Sequence, residues 1–129
     1  KIPVIANGDI LDLVSATKAL RLSGSDGLMV GRGIIGKPWL ISQISAYLNN
    51  ETQPEIPKGQ KLIESVAIHY NEILSFYGDA LGVKVARKHL KRYLDIFALP
   101  KKLLDEFLIE DCPKEVIRKL FDLSERINP

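Results

Sequence analysis

Cysteine is almost missing from this sequence: Cys112 is the single one in 129 residues. One thiol builds neither an internal disulfide framework nor a multi-cysteine zinc site, so the expectation is a reducing compartment, the cytoplasm. No apolar run approaches the roughly 18 residues that cross a bilayer. No basic leader followed by an apolar core opens the chain. An excess of one charge is lacking too. Lys and Arg number 18 against 16 Asp and Glu, a net charge of +2. That argues against a uniformly basic nucleic-acid tail and a polyacidic disordered chain. The length excludes a complete (β/α)8 barrel, which takes about 250 residues. What is present is a hydrophobic content of 46%, enough to bury a core.

The apolar residues change their spacing along the chain. Ile2-Pro3-Val4-Ile5-Ala6 is a nearly continuous apolar run, the pattern of a parallel strand buried on both faces. Asn7-Gly8-Asp9 breaks it. Asp9 is a good N-cap for a helix reaching about Leu22, with Ile10, Leu13, Val14 and Leu20 on its stripe. Gly27-Leu28-Met29-Val30 reads as a second strand, ended by Gly31-Arg32-Gly33. A second helix begins near Pro38, carrying Leu40, Ile41, Ile44 and Leu48. Residues 49–60 are polar and proline-bearing, a linker. Beyond them only helical spacing recurs. Leu62, Val66, Tyr70, Ile73 and Tyr77 make one stripe, and Val83, Ala86, Leu90, Leu94 and Phe97 another. Leu103, Leu104, Phe107 and Leu108 form a short helix, and Pro113 opens a last one. The expected fold class is α/β plus all-α. Residues 1–48 form two βα units, and residues 61–129 form a small helical bundle.

Two glycine breaks follow the two strands, and ligands of parallel α/β folds bind beyond the carboxyl ends of strands. Without a Cβ, Gly8 lets a ligand approach the backbone, beside the N–H groups of a helix start. Gly31-Arg32-Gly33 repeats the arrangement and adds a guanidinium suited to bidentate phosphate contact. Two such loops side by side match the phosphate site that TIM barrels build after strands seven and eight. The plainer alternative is that these glycines only permit turns.

The wording of these segments is specific. The stretch from Ile2-Pro3-Val4-Ile5-Ala6-Asn7-Gly8-Asp9, through Asp26-Gly27-Leu28-Met29-Val30-Gly31-Arg32-Gly33, to Gly36-Lys37-Pro38-Trp39 resembles the tRNA-dihydrouridine synthases. Gly82-Val83-Lys84-Val85-Ala86-Arg87-Lys88-His89-Leu90 is similar to that family's helical domain. Some members have carried the label of nitrogen-regulation proteins. The resemblance implies the last two βα units of a TIM barrel followed by a helical tRNA-binding domain. It also implies an FMN-dependent oxidoreductase that reduces uridine in tRNA to 5,6-dihydrouridine with NADPH. Asn7, Gly8, Asp9, Gly31 and Arg32 would then contact FMN, chiefly its phosphate. The family's general acid is a cysteine in an upstream loop, so no catalytic residue is expected in this chain, which alone should be inactive. Cys112 is no match and reads as a small packed hydrophobe.

Charge is concentrated, which the bland total hides. Residues 84–102 hold seven basic groups and one acid, Asp95. Lys84, Arg87, Lys88, Lys91 and Arg92 fall within an arc of about 140° on one helix, opposite its apolar stripe. That is how a phosphate backbone is met, by charge and without base reading. By i,i+4 pairing only Lys91, four residues before Asp95, has a helical partner that would explain it otherwise. His89 reads as a partly buried hydrogen-bonding residue. His69 lacks neighbours at ligand spacing, so no metal is expected. Tyr70, Phe76, Tyr77, Tyr93 and Phe97 read as core. Two other readings stay open on the residues. One is a free-standing RNA-binding helical module. The other is the end of another FMN- or phosphate-binding barrel oxidoreductase, against which Gly36-Lys37-Pro38-Trp39 weighs.

Overall fold

Strand β1 (Ile5–Asn7) pairs in parallel with β2 (Gly27–Met29), setting Ile5 opposite Gly27, Ala6 opposite Leu28 and Asn7 opposite Met29. The structure is a computed structural model and describes residues 1–127. The chain divides into two compact units, Lys1–Ile56 and Pro57–Pro129.

In the first unit, helix α1 (Leu13–Ser23) joins the two strands, and helix α2 (Leu40–Leu48) follows a short 3₁₀ turn at Arg32–Ile34. The N-cap of α1 is Asp12, not Asp9 as the sequence predicts. Asp12 is extended, its carboxylate accepts from the Ser15 N–H at 2.7 Å, and Ser15 Oγ accepts from the Asp12 N–H at 3.0 Å. This reciprocal capping box satisfies two donors of the first turn. Asp9 stands outside the helix because Gly8 (φ 139) and Asp9 (φ 42) turn the chain first. At its other end α1 is closed by Gly24 at φ 60, whose N–H donates to the Leu20 carbonyl.

Ile10, Ala16, Leu40 and Ile44 form this unit's core, with Leu13, Ala19, Leu28, Val30 and Ile34 against them. The strands are shorter than the sequence predicts and are not buried on both faces: Ile5 is 56% exposed, and Ile2 and Val4 more so. The sheet has two strands among the described residues, so little stands over its open face. The second helix also starts later than Pro38, at Leu40, after the 3₁₀ turn has taken up the chain.

The second unit is all helix: α3 (Gly59–Tyr77), α4 (Asp79–Asp95), α5 (Lys101–Leu108) and α6 (Pro113–Ile127). Helix α3 begins two residues before the expected boundary at 61. Its stripe of Leu62, Val66, Tyr70 and Ile73 meets Val83, Ala86, Leu90 and Leu94 of α4, all buried. Gly78, at φ 75, is the single residue between the two helices. Gly82 then lets them close: a Cβ there would stand 2.9 Å from Leu74 Cδ2 and 3.0 Å from Leu74 Cα. Phe107 of α5 and Val116, Leu120 and Leu123 of α6 complete the buried set. No helix among the described residues is long and apolar enough to cross a membrane.

Candidate functional site

Parallel pairing brings the carboxyl ends of β1 and β2 level, and with them the two glycine loops. Together they border a hollow of about 330 Å³ lined by Asn7, Gly8, Asp9, Ile10, Leu11, Met29, Gly31, Arg32 and Gly33. All five residues the sequence singles out here therefore meet in one place. Gly8 and Gly31 have open space where a Cβ would stand. Gly33 differs, since a Cβ there would lie 2.0 Å from the Ile10 carbonyl oxygen. The sequence marks Gly33 only as a turn residue; its real constraint is that the 3₁₀ turn lies directly against the residue-10 backbone. Ile10, Leu11 and Met29 also line the hollow, and no sequence signal separates them from ordinary core positions.

Arg32 does not stand free. Its Nη2 donates to Asp9 Oδ1 at 3.0 Å, with the two side chains 86% and 80% exposed. Such an exposed pair is worth about 0–1 kcal/mol, so an incoming anion can exchange for the carboxylate at low cost. The site thus offers a cationic donor, accessible backbone and one acceptor, Asp9. The Lys37 ammonium donates to the Leu11 carbonyl and ties the segment before α2 to the same loop.

The second constellation is the cationic face of α4. Lys84, Lys88, Lys91 and Arg92 are exposed. Lys91 pairs with Asp95 at 3.2 Å, one turn on. Arg87 is placed differently from its neighbours. Its Nη2 donates to Asp111 Oδ1 at 2.6 Å, and its side chain is 33% exposed against 83% for Asp111. Arg87 Nε is buried without a partner among the described residues, as is the Tyr70 hydroxyl, which burial pushes up to about 12 against the opposing pull of the Arg87 charge. Arg87 therefore ties α4 to the connection between α5 and α6. Helical spacing cannot show a partner 24 residues away.

Between α3 and α4 lies a compact aromatic cluster. His69 Nδ1 and the Tyr93 hydroxyl are hydrogen-bonded at 3.0 Å, and the His89 ring meets His69 edge-on at 4.9 Å. Burial holds both imidazoles below their usual range; His89 is lowered further by His69 and Lys88. Burial also pushes Tyr93 up to about 12. His89 is half-buried as expected, but its Nδ1 has no hydrogen-bond partner among the described residues.

Three residues expected inside are not. Cys112 is exposed, because it sits where the chain enters α6, with its carbonyl accepting from the Glu115 and Val116 N–H groups. Phe76 is 81% and Tyr77 47% exposed, since α3 ends there and nothing in the described unit covers its last turn. Phe97 is half-buried. Among the described residues no three His, Cys, Asp or Glu side chains cluster as metal ligands would.

A family model described as dihydrouridine synthase (Dus) matches residues 1–117. A probable tRNA-dihydrouridine synthase of Rhodobacter capsulatus is 50% identical over 99 residues, covering 77% of this chain and 31% of that protein. One from Rickettsia conorii is 52% identical over 93 residues, or 72% of this chain and 28% of the relative. tRNA-dihydrouridine synthase B of Escherichia coli is 36% identical over 125 residues, 96% of this chain and 34% of that protein. The chain spans about a third of the length of these relatives and matches their carboxyl-terminal part.

Proposed function

The chain belongs to the dihydrouridine synthase family, and from that premise we propose that it is the carboxyl-terminal part of an FMN-dependent oxidoreductase reducing uridine in tRNA to 5,6-dihydrouridine, with NADPH as the electron source. Its first unit supplies the last two βα units of a TIM barrel. Its second supplies the helical domain that meets tRNA. The catalytic acid lies outside these residues, and the chain by itself is inactive.

The observation that carries this reading is the meeting of both glycine loops in one hollow at the strand ends. The residues fit a phosphate group. Gly8 and Gly31 leave the backbone open, and Arg32 provides an exposed guanidinium for two parallel N–H···O bonds. In this reading Asn7, Gly8, Gly31 and Arg32 hold the FMN phosphate, and Asp9 releases Arg32 and turns to a ligand hydroxyl. Ile10 and Leu11 exclude water on one side. When bound, the flavin supplies the hydride chemistry, while the protein supplies placement and electrostatics. On the second unit, Lys84, Lys88, Lys91 and Arg92 face the tRNA backbone. Neutralised phosphates release counterions, so affinity falls with salt whatever the base sequence.

Flavin content tests the first half. In the complete polypeptide carrying this segment, Arg32→Ala lowers the FMN recovered per protein, and activity on unmodified tRNA returns when excess FMN is added. Unchanged flavin content removes Arg32 from the phosphate role. The 129-residue chain alone shows no submicromolar FMN binding by fluorescence titration, and tight stoichiometric binding refutes the assignment of the remaining flavin contacts to other segments.

A further inference from the structure

The last turn of α3 carries an exposed aromatic pair that the phosphate-contacting face does not use. The Phe76 and Tyr77 rings meet edge to face at 4.8 Å, and Phe76 is 81% exposed. An exposed pair of large rings leaves apolar area in water that folding ordinarily removes. Helix α4 begins two residues later, and its first turn is drawn onto the Ile73 and Leu74 backbone by the missing Cβ of Gly82. The one-residue link at Gly78 keeps the last turn of α3, with its aromatic pair, next to the start of α4.

Leu81 joins the two features. It is 52% exposed, and at 100° per residue it falls inside the arc of Lys84, Lys88, Lys91 and Arg92, one turn before Lys84. The cationic row of α4 thus runs on at its amino end to Leu81, and one residue, Gly78, joins that end of α4 to the turn that bears Tyr77 and Phe76. A charged row that ends in exposed rings is the surface single-stranded nucleic acid requires. Phosphates follow the cations and an unstacked base lies on the ring face.

We propose that Phe76, Tyr77 and Leu81 form a stacking ledge for an unpaired base of the RNA whose backbone runs along α4. This rests on the reading of α4 as the RNA face and adds to it a preference for RNA with an unpaired segment. Charge complementarity selects RNA over a protein partner: the segment 84–102 carries seven basic groups against one acid. Rings contribute stacking without charge, so the ledge changes affinity while leaving its salt dependence alone.

The test compares a hairpin RNA having an unpaired loop with a blunt duplex of equal phosphate number, each titrated against the 129-residue chain. Phe76→Ala is expected to weaken hairpin binding about 5- to 100-fold, to leave duplex binding within about twofold, and to keep the slope of log affinity against log salt. Phe76→Trp, with a larger ring, restores or tightens the hairpin. Equal losses on hairpin and duplex, or no loss on either, overturn the ledge. Wild-type RNA affinity together with a shift from dimer to monomer in sedimentation velocity assigns the rings to a second copy of the chain, and also overturns it. Lys88→Glu with Lys91→Glu separates this proposal from the one beneath it. If charge reversal lowers affinity and salt slope while Phe76→Ala is silent, only the ledge fails. If both are silent, the RNA face of α4 fails with it.

Discussion

Replacing Gly33 by alanine adds one methyl group at the most crowded glycine of the first unit. The new Cβ would lie 2.0 Å from the Ile10 carbonyl oxygen, 3.1 Å from the Ile10 carbonyl carbon and 3.3 Å from Val30 Cγ1. The first contact is about 1 Å inside the closest approach that real Cβ atoms make. Its partner is backbone, which cannot swing aside as a side-chain tip does. The 3₁₀ turn must move away from residue 10, and Ile10 belongs to the buried core of this unit. Overpacking of this kind costs roughly 1–3 kcal/mol, occasionally more. In a unit this small each kcal/mol is worth about 4–8 °C of melting temperature, so a fall of about 5–20 °C is expected. Gly31→Ala is the comparison, because its added Cβ meets nothing within 4 Å and only its backbone (φ −96°, ψ −105°), outside the regions other residues favour, opposes the methyl group. Hydrogen exchange read by peptide separates the units. Gly33→Ala accelerates exchange in residues 1–56 and leaves residues 57–127 unchanged, and Gly31→Ala, which adds no clash, accelerates the first unit less. In the complete polypeptide Gly31→Ala should nonetheless lower flavin content, since its methyl group narrows the hollow. A Gly33→Ala protein with wild-type exchange throughout refutes the packing of the 3₁₀ turn on Ile10.

Two further outcomes follow from the second unit. The folded-state pKa values of His69 and His89 lie below the unfolded value of about 6.5. The unfolded chain therefore takes up protons first as pH falls. Stability is complete above about pH 6.5, declines below it, and stops declining once the folded histidines also protonate. Denaturant midpoints at pH 7.5 and 5.5 should differ, with a smaller difference in His89→Asn; equal midpoints in the parent chain contradict the burial of the pair. For Arg87 and Asp111, single alanine substitutions should each accelerate exchange at the first turn of α6, with the double substitution no worse than Arg87→Ala alone. Arg87→Ala should also leave the salt slope of RNA binding unchanged, and a drop of about 0.7–0.9 would instead make Arg87 a phosphate contact.

Local chemistry determined much of this protein from its sequence. Apolar runs closed by glycine mark β1 and β2, although the two-stranded sheet leaves Ile5 exposed instead of buried on both faces, and periods of three and four mark α3 to α6. Strand ends followed by Gly8 and Gly31 point to one site, since parallel pairing leaves consecutive carboxyl ends little choice but to lie side by side. The cations of α4 share a face by helix geometry alone. What the sequence left open depends on contacts between residues far apart. The N-cap at Asp12 rather than Asp9 follows from how the chain turns at Gly8 before the helix starts. Arg87 leaves the company of Lys84 and Lys88 because Asp111, 24 residues on, reaches its guanidinium. Phe76 and Tyr77 carry helical spacing like any core aromatic, yet stand in solvent, because periodicity assigns a face and only packing decides whether another element covers it. Cys112 is exposed because it stands where the chain enters α6. Tertiary structure also decided the role of Gly33, whose necessity lies in the carbonyl of Ile10, a neighbour that no local pattern names.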